Sequence, residues 1–190
     1  MKMKIVGVDP SLRNFGIVEA VLDTDTMEFA ITNMNLVESE DNAKKAKTVR
    51  KNSDDLRRAS LLHTGFQDAC KDAAFAFIEV PVGSQSARAM ASYGICIGVL
   101  ASCPIPMIQL TPTEVKLAMT NEKTATKGEM IDAAVKAHPY AKWMTRKSKG
   151  ELVLLNDNEH LADAVGAITA GLKTNEFRSA VAFVKGLKVA

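Results

Sequence analysis

The sequence predicts an α/β domain: a mixed sheet of five strands, three antiparallel and then parallel ones, flanked by helices. Three observations predict it. Three apolar, partly alternating runs come first, KIVGVD, FGIVEAVLD and MEFAITNMNLVE, joined by turns too short for a crossover and therefore antiparallel. Two more apolar runs, AFAFIEV and PIPMIQLTP, then alternate with helical segments, the arrangement that makes parallel neighbours. At 190 residues, 47% hydrophobic and 24% charged, the chain has the length and composition of one packed domain spanning residues 1–190.

The elements follow in order. The first strand ends on Asp9, and the turns PSLRN and DTDT lead into the second and third. The polar stretch ESEDNAKKAKTVRKNSDD reads as a basic loop or lid over about residues 40–53. Asn52 or Ser53 is expected to cap a helix over DLRRASLLHTGFQDACKDA, where Leu56, Ala59, Leu62, Phe66 and Ala69 recur at helical spacing. AFAFIEV is apolar up to Glu79, as in a central strand buried on both faces. SQSARAMASYGICIGVLASC is helical, and Ala91, Gly94, Ile95, Gly98 and Val99 offer a face that another helix can approach closely. After PIPMIQLTP, Pro112 opens the short helix PTEVKLAM, and TATKGEMIDAAVKAH forms the next, closed by Pro139. A second basic loop is inserted over about residues 139–157. The helix NDNEHLADAVGAITAGL, capped within 156–158, then carries the apolar stripe Leu161, Val165, Ile168 and Leu172, and a tail helix covers about residues 175–188. There is no internal repeat.

The net charge of +2 is too small to name a partner, but the basic residues cluster. KKAKTVRK contributes Lys44, Lys45, Lys47, Arg50 and Lys51; AKWMTRKSKG contributes Lys142, Arg146, Lys147 and Lys149 around Trp143; neither string contains an acid. Either is a candidate phosphate contact, and either alone is equally a solvated surface loop. The N-terminus has no apolar signal core and no stretch has the length of a membrane span, so a cytoplasmic location is expected. Cys70, Cys96 and Cys103 have no CxxC spacing and read as packed, reduced thiols. GxSxG, HExxH, Walker A and paired-glycine dinucleotide motifs are all missing, and His63 and His138 stand alone in helices.

Chemistry points to the acids. Asp9 and Glu79 each end a strand, where a carboxylate alone is an ordinary turn residue. Glu79, however, follows an apolar run and precedes VPV, a place where a carboxylate is costly unless paired or bound to a cation. His160 and Asp163 stand three apart and leave one helix face together, bordering the apolar stripe. Capping is the other role open to that pair, and Glu159 or Asp157 is an alternative ligand. Carboxylates gathered in one pocket raise each other's pKa and persist around positive charge. Oxygen-rich sets of this kind suit Mg²⁺ or Mn²⁺, and two such ions support in-line displacement at phosphorus, which is nuclease chemistry.

These strings resemble, in order along the chain, those of the RuvC Holliday junction resolvases, a family with the RNase H-like fold. GVDPSLRNFG is similar to the family's first-strand motif, and FIEVPVGSQSARAMASYGICIGVL to its fourth strand and following helix. PIPMIQLTPTEVKLAM stands where the family has a proline-threonine-hydrophobic-x-lysine string, and NEHLADAVGAITAGL resembles its closing HxxDA helix. The resemblance spans roughly residues 3–173. It implies Asp9, Glu79, His160 and Asp163 as ligands of two Mg²⁺ or Mn²⁺ ions, with Asp9 between them. It implies Lys116 and Lys127 at the scissile phosphate, and a homodimer joined through the helix at 88–102, with Arg88 among the DNA-facing cations. The implied activity is resolution of four-way or other branched DNA by paired nicks. Two departures stand out: Val82, beside Pro81, occupies a position where the family often has an aromatic residue, and the 139–157 segment is long. Both fit a divergent member, viral ones included, which would work in a host cytoplasm or nucleoid. Two other readings stay open: an inactive branched-DNA-binding protein, and an actin-like or sugar-kinase-type ATPase relative. Against the second, Ser11 stands where that group has glycine, and the chain is short for a two-lobed enzyme.

Overall fold

The computed structural model describes residues 1–40 and 50–189. Strand β1 (Lys2–Asp9) is the middle of a five-stranded sheet of order β3-β2-β1-β4-β5. On one side β2 (Asn14–Asp23) and β3 (Glu28–Glu38) follow antiparallel; on the other β4 (Phe75–Glu79) and β5 (Met107–Leu110) run parallel. The predicted mixed sheet is therefore present, with its antiparallel and parallel halves meeting at β1.

Two apolar cores sandwich the sheet. Helices α1 (Lys51–Cys70) and α2 (Ala87–Leu100) close one face over Val6, Val8, Ala76 and Ile78. Helix α5 (Asn158–Gly171) lies across the other over Ile5 and Phe77, with α3 (Pro112–Thr120), α4 (Lys127–Ala137) and α6 (Asn175–Val189) completing that side. Strand side chains alternate between faces. Asp9 and Glu79 share the parity of Ile5 and Phe77, so both belong to the α5 face.

Close approach of α5 to the sheet depends on missing Cβ atoms. One on Gly7 would collide with the Ala164 carbonyl oxygen, and one on Gly171 with the Phe77 ring. The stripe of Leu161, Val165, Ile168 and Leu172 is buried as expected. Helices α3 and α4 open as their sequences require, with reciprocal capping boxes Thr111/Glu114 and Thr126/Glu129 and Pro112 in the first turn of α3.

Three expectations need correction. Helix α1 begins at Lys51 after Arg50, with no side-chain cap, so Asn52 and Ser53 lie inside the helix and the expected loop ends early. Leu56 is 70% exposed and Arg58 is buried instead, because Arg58 has hydrogen-bond acceptors waiting under the helix. The 139–157 segment contains a hairpin, β6 (Thr145–Ser148) and β7 (Glu151–Leu154). Its turn residues Lys149 (φ 51°) and Gly150 (φ 90°) are both left-handed, as a tight two-residue hairpin turn demands. The strand TRKS has no apolar alternation, which is why periodicity passed it over. The expected tail helix is present as α6 and is bound down along its length: Phe177 is buried edge-on against Phe75 and Phe77, and Lys185 Nζ reaches the Thr24 carbonyl and Asp25 at 2.7 Å each. Among the described residues, no helix is long and apolar enough to cross a membrane.

Candidate functional site

Asp9 and Glu79 are each the residue just past Val8 and Ile78, the last pair of the parallel β1–β4 ladder, so the two carboxylates emerge side by side at one sheet edge. Across β1, Asp9 pairs with Gly16. Gly16 lies directly beneath the backbone of His160, where any Cβ would strike the His160 carbonyl. The first turn of α5 thus rests on the strand ends, and His160 Nδ1 donates to Asp9 Oδ2 at 2.6 Å. Asp163 follows on the same helix face. Sequence spacing placed these residues on separate elements, and packing at Gly16 brings them together.

The pocket is short of positive charge. Burial, then the charges of Asp9 and Asp163, push the Glu79 carboxyl up to about 8, with only Lys116 pulling it down. Burial and the Asp9 charge push Asp163 up to about 7; His160 and Lys116 oppose this and Glu159 adds to it. Burial disfavours a charged His160, yet its bond to Asp9 and the fields of Asp9, Glu159 and Asp163 hold it above its ordinary value. Glu79 and Asp163 thus hold on to protons near neutrality, the behaviour of a cluster that a cation would relieve. Oxygen donors with one imidazole fit a hard divalent ion such as Mg²⁺ or Mn²⁺. Among the described residues, though, no three His, Cys, Asp or Glu side chains converge as they stand on one ion position. Asp9 and His160 are instead bonded to each other.

Lys116, half-buried on α3, lies within electrostatic reach of Glu79 and Asp163. Lys127 is exposed at the start of α4, and its Nζ sits 2.7 Å from Glu159 Oε2, a pairing that raises the lysine pKa. Glu159 also approaches His160 Nε2 at 3.5 Å, so it joins the cluster's rim, whereas Asp157 is exposed outside it. Arg88 is held by Asp55 through two bonds of 2.6 and 2.7 Å. Arg50 is exposed and Lys51 begins α1; Lys44, Lys45 and Lys47 lie outside the described residues. Lys142, Arg146, Lys147 and Lys149 are exposed around the hairpin. Trp143 is turned inward: its indole N–H donates to the His138 carbonyl at 3.0 Å and its ring packs on the core. Val82 is 74% exposed in the loop after β4.

On α2, Met90, Ala91, Gly94, Ile97 and Gly98 form the exposed row, while Val99 is buried in the core and Ile95 packs against it. The expected close-packing face is therefore rotated away from Ile95 and Val99. Sequence reasoning also missed Asn158, Arg58 and the two strand glycines. Gly7 and Gly16 were visible as fixed points of GVDPSLRNFG; nothing in the local pattern marked Asn158 or Arg58.

No family model and no curated protein matches this chain. Solved structures do. Thermus thermophilus RuvC bound to a Holliday junction substrate aligns with a TM-score of 0.63 at 16% identity, covering 93% of this chain and 94% of that one. A second Thermus thermophilus RuvC structure aligns at 0.61 and 16%, covering 95% and 97%. A yeast mitochondrial Holliday junction resolvase aligns at 0.51 and 13%, covering 96% and 85%. The likeness is one of fold over nearly the whole chain: this protein has the RNase H-like fold of the RuvC resolvases.

Proposed function

We propose that this chain is a Mg²⁺- or Mn²⁺-dependent endonuclease that resolves four-way or other branched DNA by paired nicks. The observation that carries this is the carboxylate cluster itself: Asp9 and Glu79 at adjacent parallel strand ends, met by Asp163, with too little positive charge to keep all three ionised. The shared fold supports it, since one of the similar structures is described as RuvC with a Holliday junction substrate.

Asp9, Glu79, Asp163 and His160 are the residues that would hold the ions. Bound there, such ions activate a water and stabilise the leaving oxygen of an in-line displacement at phosphorus. The chain's own residues do the rest. Lys116 offsets charge that builds on the scissile phosphate, and Lys127, exposed and tethered to Glu159, exchanges that carboxylate for a phosphate oxygen. The exposed lysines and arginines supply sequence-independent phosphate contacts. A second copy would join through the exposed row of α2, where Gly94 and Gly98 leave open space, and a two-fold dimer presents two equal sites to two strands. The chain acts as a single nuclease domain, in the cytoplasm or nucleoid where DNA is accessible.

The direct Asp9–His160 bond also suits a protein that binds junctions without cutting them, and cleavage separates the two readings. A labelled mobile junction with Mg²⁺, run beside flap, fork and duplex controls, is expected to show paired nicks. Asp9→Asn and Glu79→Gln are expected to lower the nicking rate about 1000-fold while binding in Ca²⁺ is retained. Wild-type protein that never nicks, or variants that nick as well as it does, would overturn the nuclease reading.

A further inference from the structure

The β6–β7 hairpin stands outside the main sheet, and isolated two-stranded hairpins are marginal in water. Its root is held firmly. Asn158 is fully buried, and its side-chain oxygen accepts from the Met144 N–H at 2.9 Å while its amide donates to the carbonyls of Met144 at 2.8 Å and Leu155 at 3.0 Å. Leu155 N–H closes the neck on the Met144 carbonyl at 3.0 Å. Since Asn158 lies two residues before His160 on α5, the hairpin leaves the protein beside the acid cluster in a fixed direction.

Its body is uncovered. Arg146, Lys147 and Lys149 are exposed and form no ion pair among the described residues. Leu152 is 70% exposed and Val153 42%. The register sets Arg146 opposite Val153 and Lys147 opposite Leu152, so on each face of the ribbon a cation stands beside an apolar side chain. Glu151 is the one acid in the hairpin. Cations paired with apolar side chains complement a polyanion that also has flat apolar faces, which describes nucleic acid where bases are unstacked. Two-stranded ribbons fit DNA grooves, and leucine is among the side chains that wedge between base steps.

We propose that the β6–β7 hairpin is a DNA-binding ribbon that lays Arg146, Lys147 and Lys149 along phosphates beside the site and sets Leu152 against a base at the branch point. This rests on the endonuclease reading and names how that site distinguishes a branch from a duplex: continuous stacking offers Leu152 no base face. Asn158 is its positioning residue, aligning ribbon and acid cluster.

The test uses a junction carrying 2-aminopurine at the branch, in Ca²⁺ so that binding is read without cutting. Wild-type protein is expected to raise the fluorescence of this junction and not that of a duplex with the same label. Leu152→Ser is expected to abolish the rise and weaken junction binding about 10-fold, whereas Leu152→Met retains both. Arg146, Lys147 and Lys149 all changed to Ala are expected to reduce the salt dependence of log K by about 2 to 3. All these side chains are exposed, so melting temperatures should match wild type. Variants that bind and open the junction as wild type does overturn the proposal. So does loss, in the triple variant, of binding to vesicles with anionic headgroups while junction binding is unchanged. If wild type nicks and the hairpin variants behave like it, only the hairpin proposal falls. If wild type opens the junction through Leu152 and never nicks, only the nuclease reading falls.

Discussion

Charged side chains are buried on one side of this sheet and half-buried on the other, and the two groups differ in how they are matched. On the α1 side, Arg58 Nε donates to Ser39 Oγ at 3.0 Å, its NH2 to the Leu12 carbonyl at 3.3 Å, and its NH1 stands 3.8 Å from Asp55. Ser39 Oγ in turn donates to the same Leu12 carbonyl. Arg57 bonds twice to Asp54 Oδ1, leaving Asp54 Oδ2 as the one buried side-chain oxygen without a partner among the described residues. On the α5 side, Glu79 and Asp163 are half-buried beside Asp9, and among the described residues Lys116 and His160 are the charges that oppose them. A charge that serves architecture arrives with donors and acceptors from its own chain. The acid cluster has fewer of them, which is the difference expected between the proposed cation site and a structural ion network.

Stability measurements can break that comparison. The largest effect is expected from Arg58→Met, which removes the two buried charge-assisted hydrogen bonds to Ser39 Oγ and the Leu12 carbonyl and should cost about 3–5 kcal/mol in urea unfolding. Glu79→Gln in metal-free protein is expected to stay within about 1 kcal/mol of wild type or to gain stability, since it removes a repelled charge. Equal losses from both would mean that the acid cluster is structural too.

A smaller effect is expected from Gly16→Ala. The added methyl presses on the His160 backbone, lifts the first turn of α5 and should cost about 1–3 kcal/mol. Nicking should fall further than this loss of folded protein accounts for, because Asp9 and His160 are separated while the Arg58 network is untouched. A variant with wild-type nicking would show that the seat of α5 on Gly16 does not position the cluster.

The smallest and most graded effect is on pH dependence. Glu79 holds its proton more tightly folded than unfolded, so its favourable contribution is complete below the ordinary value of 4.5 and is lost as pH rises through about 8. Asp163 behaves likewise from 3.8 to about 7. Asp55 has the opposite sign: Arg88 lowers its pKa, so its contribution is present above 3.8 and is lost on acidification. Melting temperatures of metal-free protein should therefore decline between pH 5 and 8, and Glu79→Gln should flatten the decline. Added Mg²⁺ should stabilise more at pH 8 than at pH 5.5. A melting temperature that rises over this range would show that the cluster is not short of positive charge.

Much of the fold was legible because apolar periodicity is written locally. KIVGVD and AFAFIE alternate or run apolar for long enough to declare strands, and the stripe from Leu161 to Leu172 declares a helix. The hairpin was not legible, since TRKS carries its cations on both faces and depends on a turn with two left-handed residues. The start of α1 was misplaced because Asn52 and Ser53 look like caps, and Arg58 lay hidden in a stripe that Leu56 seemed to own. The bond from Trp143 to the His138 carbonyl, and the packing of its ring on the core, were not legible from its lysine neighbours.

By itself, then, the sequence determined the five strands of the main sheet, the existence of the helices and the faces that Asp9 and Glu79 take, because side-chain direction follows from the two-residue period of a strand. Only the tertiary structure decided which groups those acids meet. Contact between β1, β4 and α5 depends on parallel register and on bare backbone at Gly7 and Gly16, and these are interactions between residues up to 151 positions apart that no local pattern encodes.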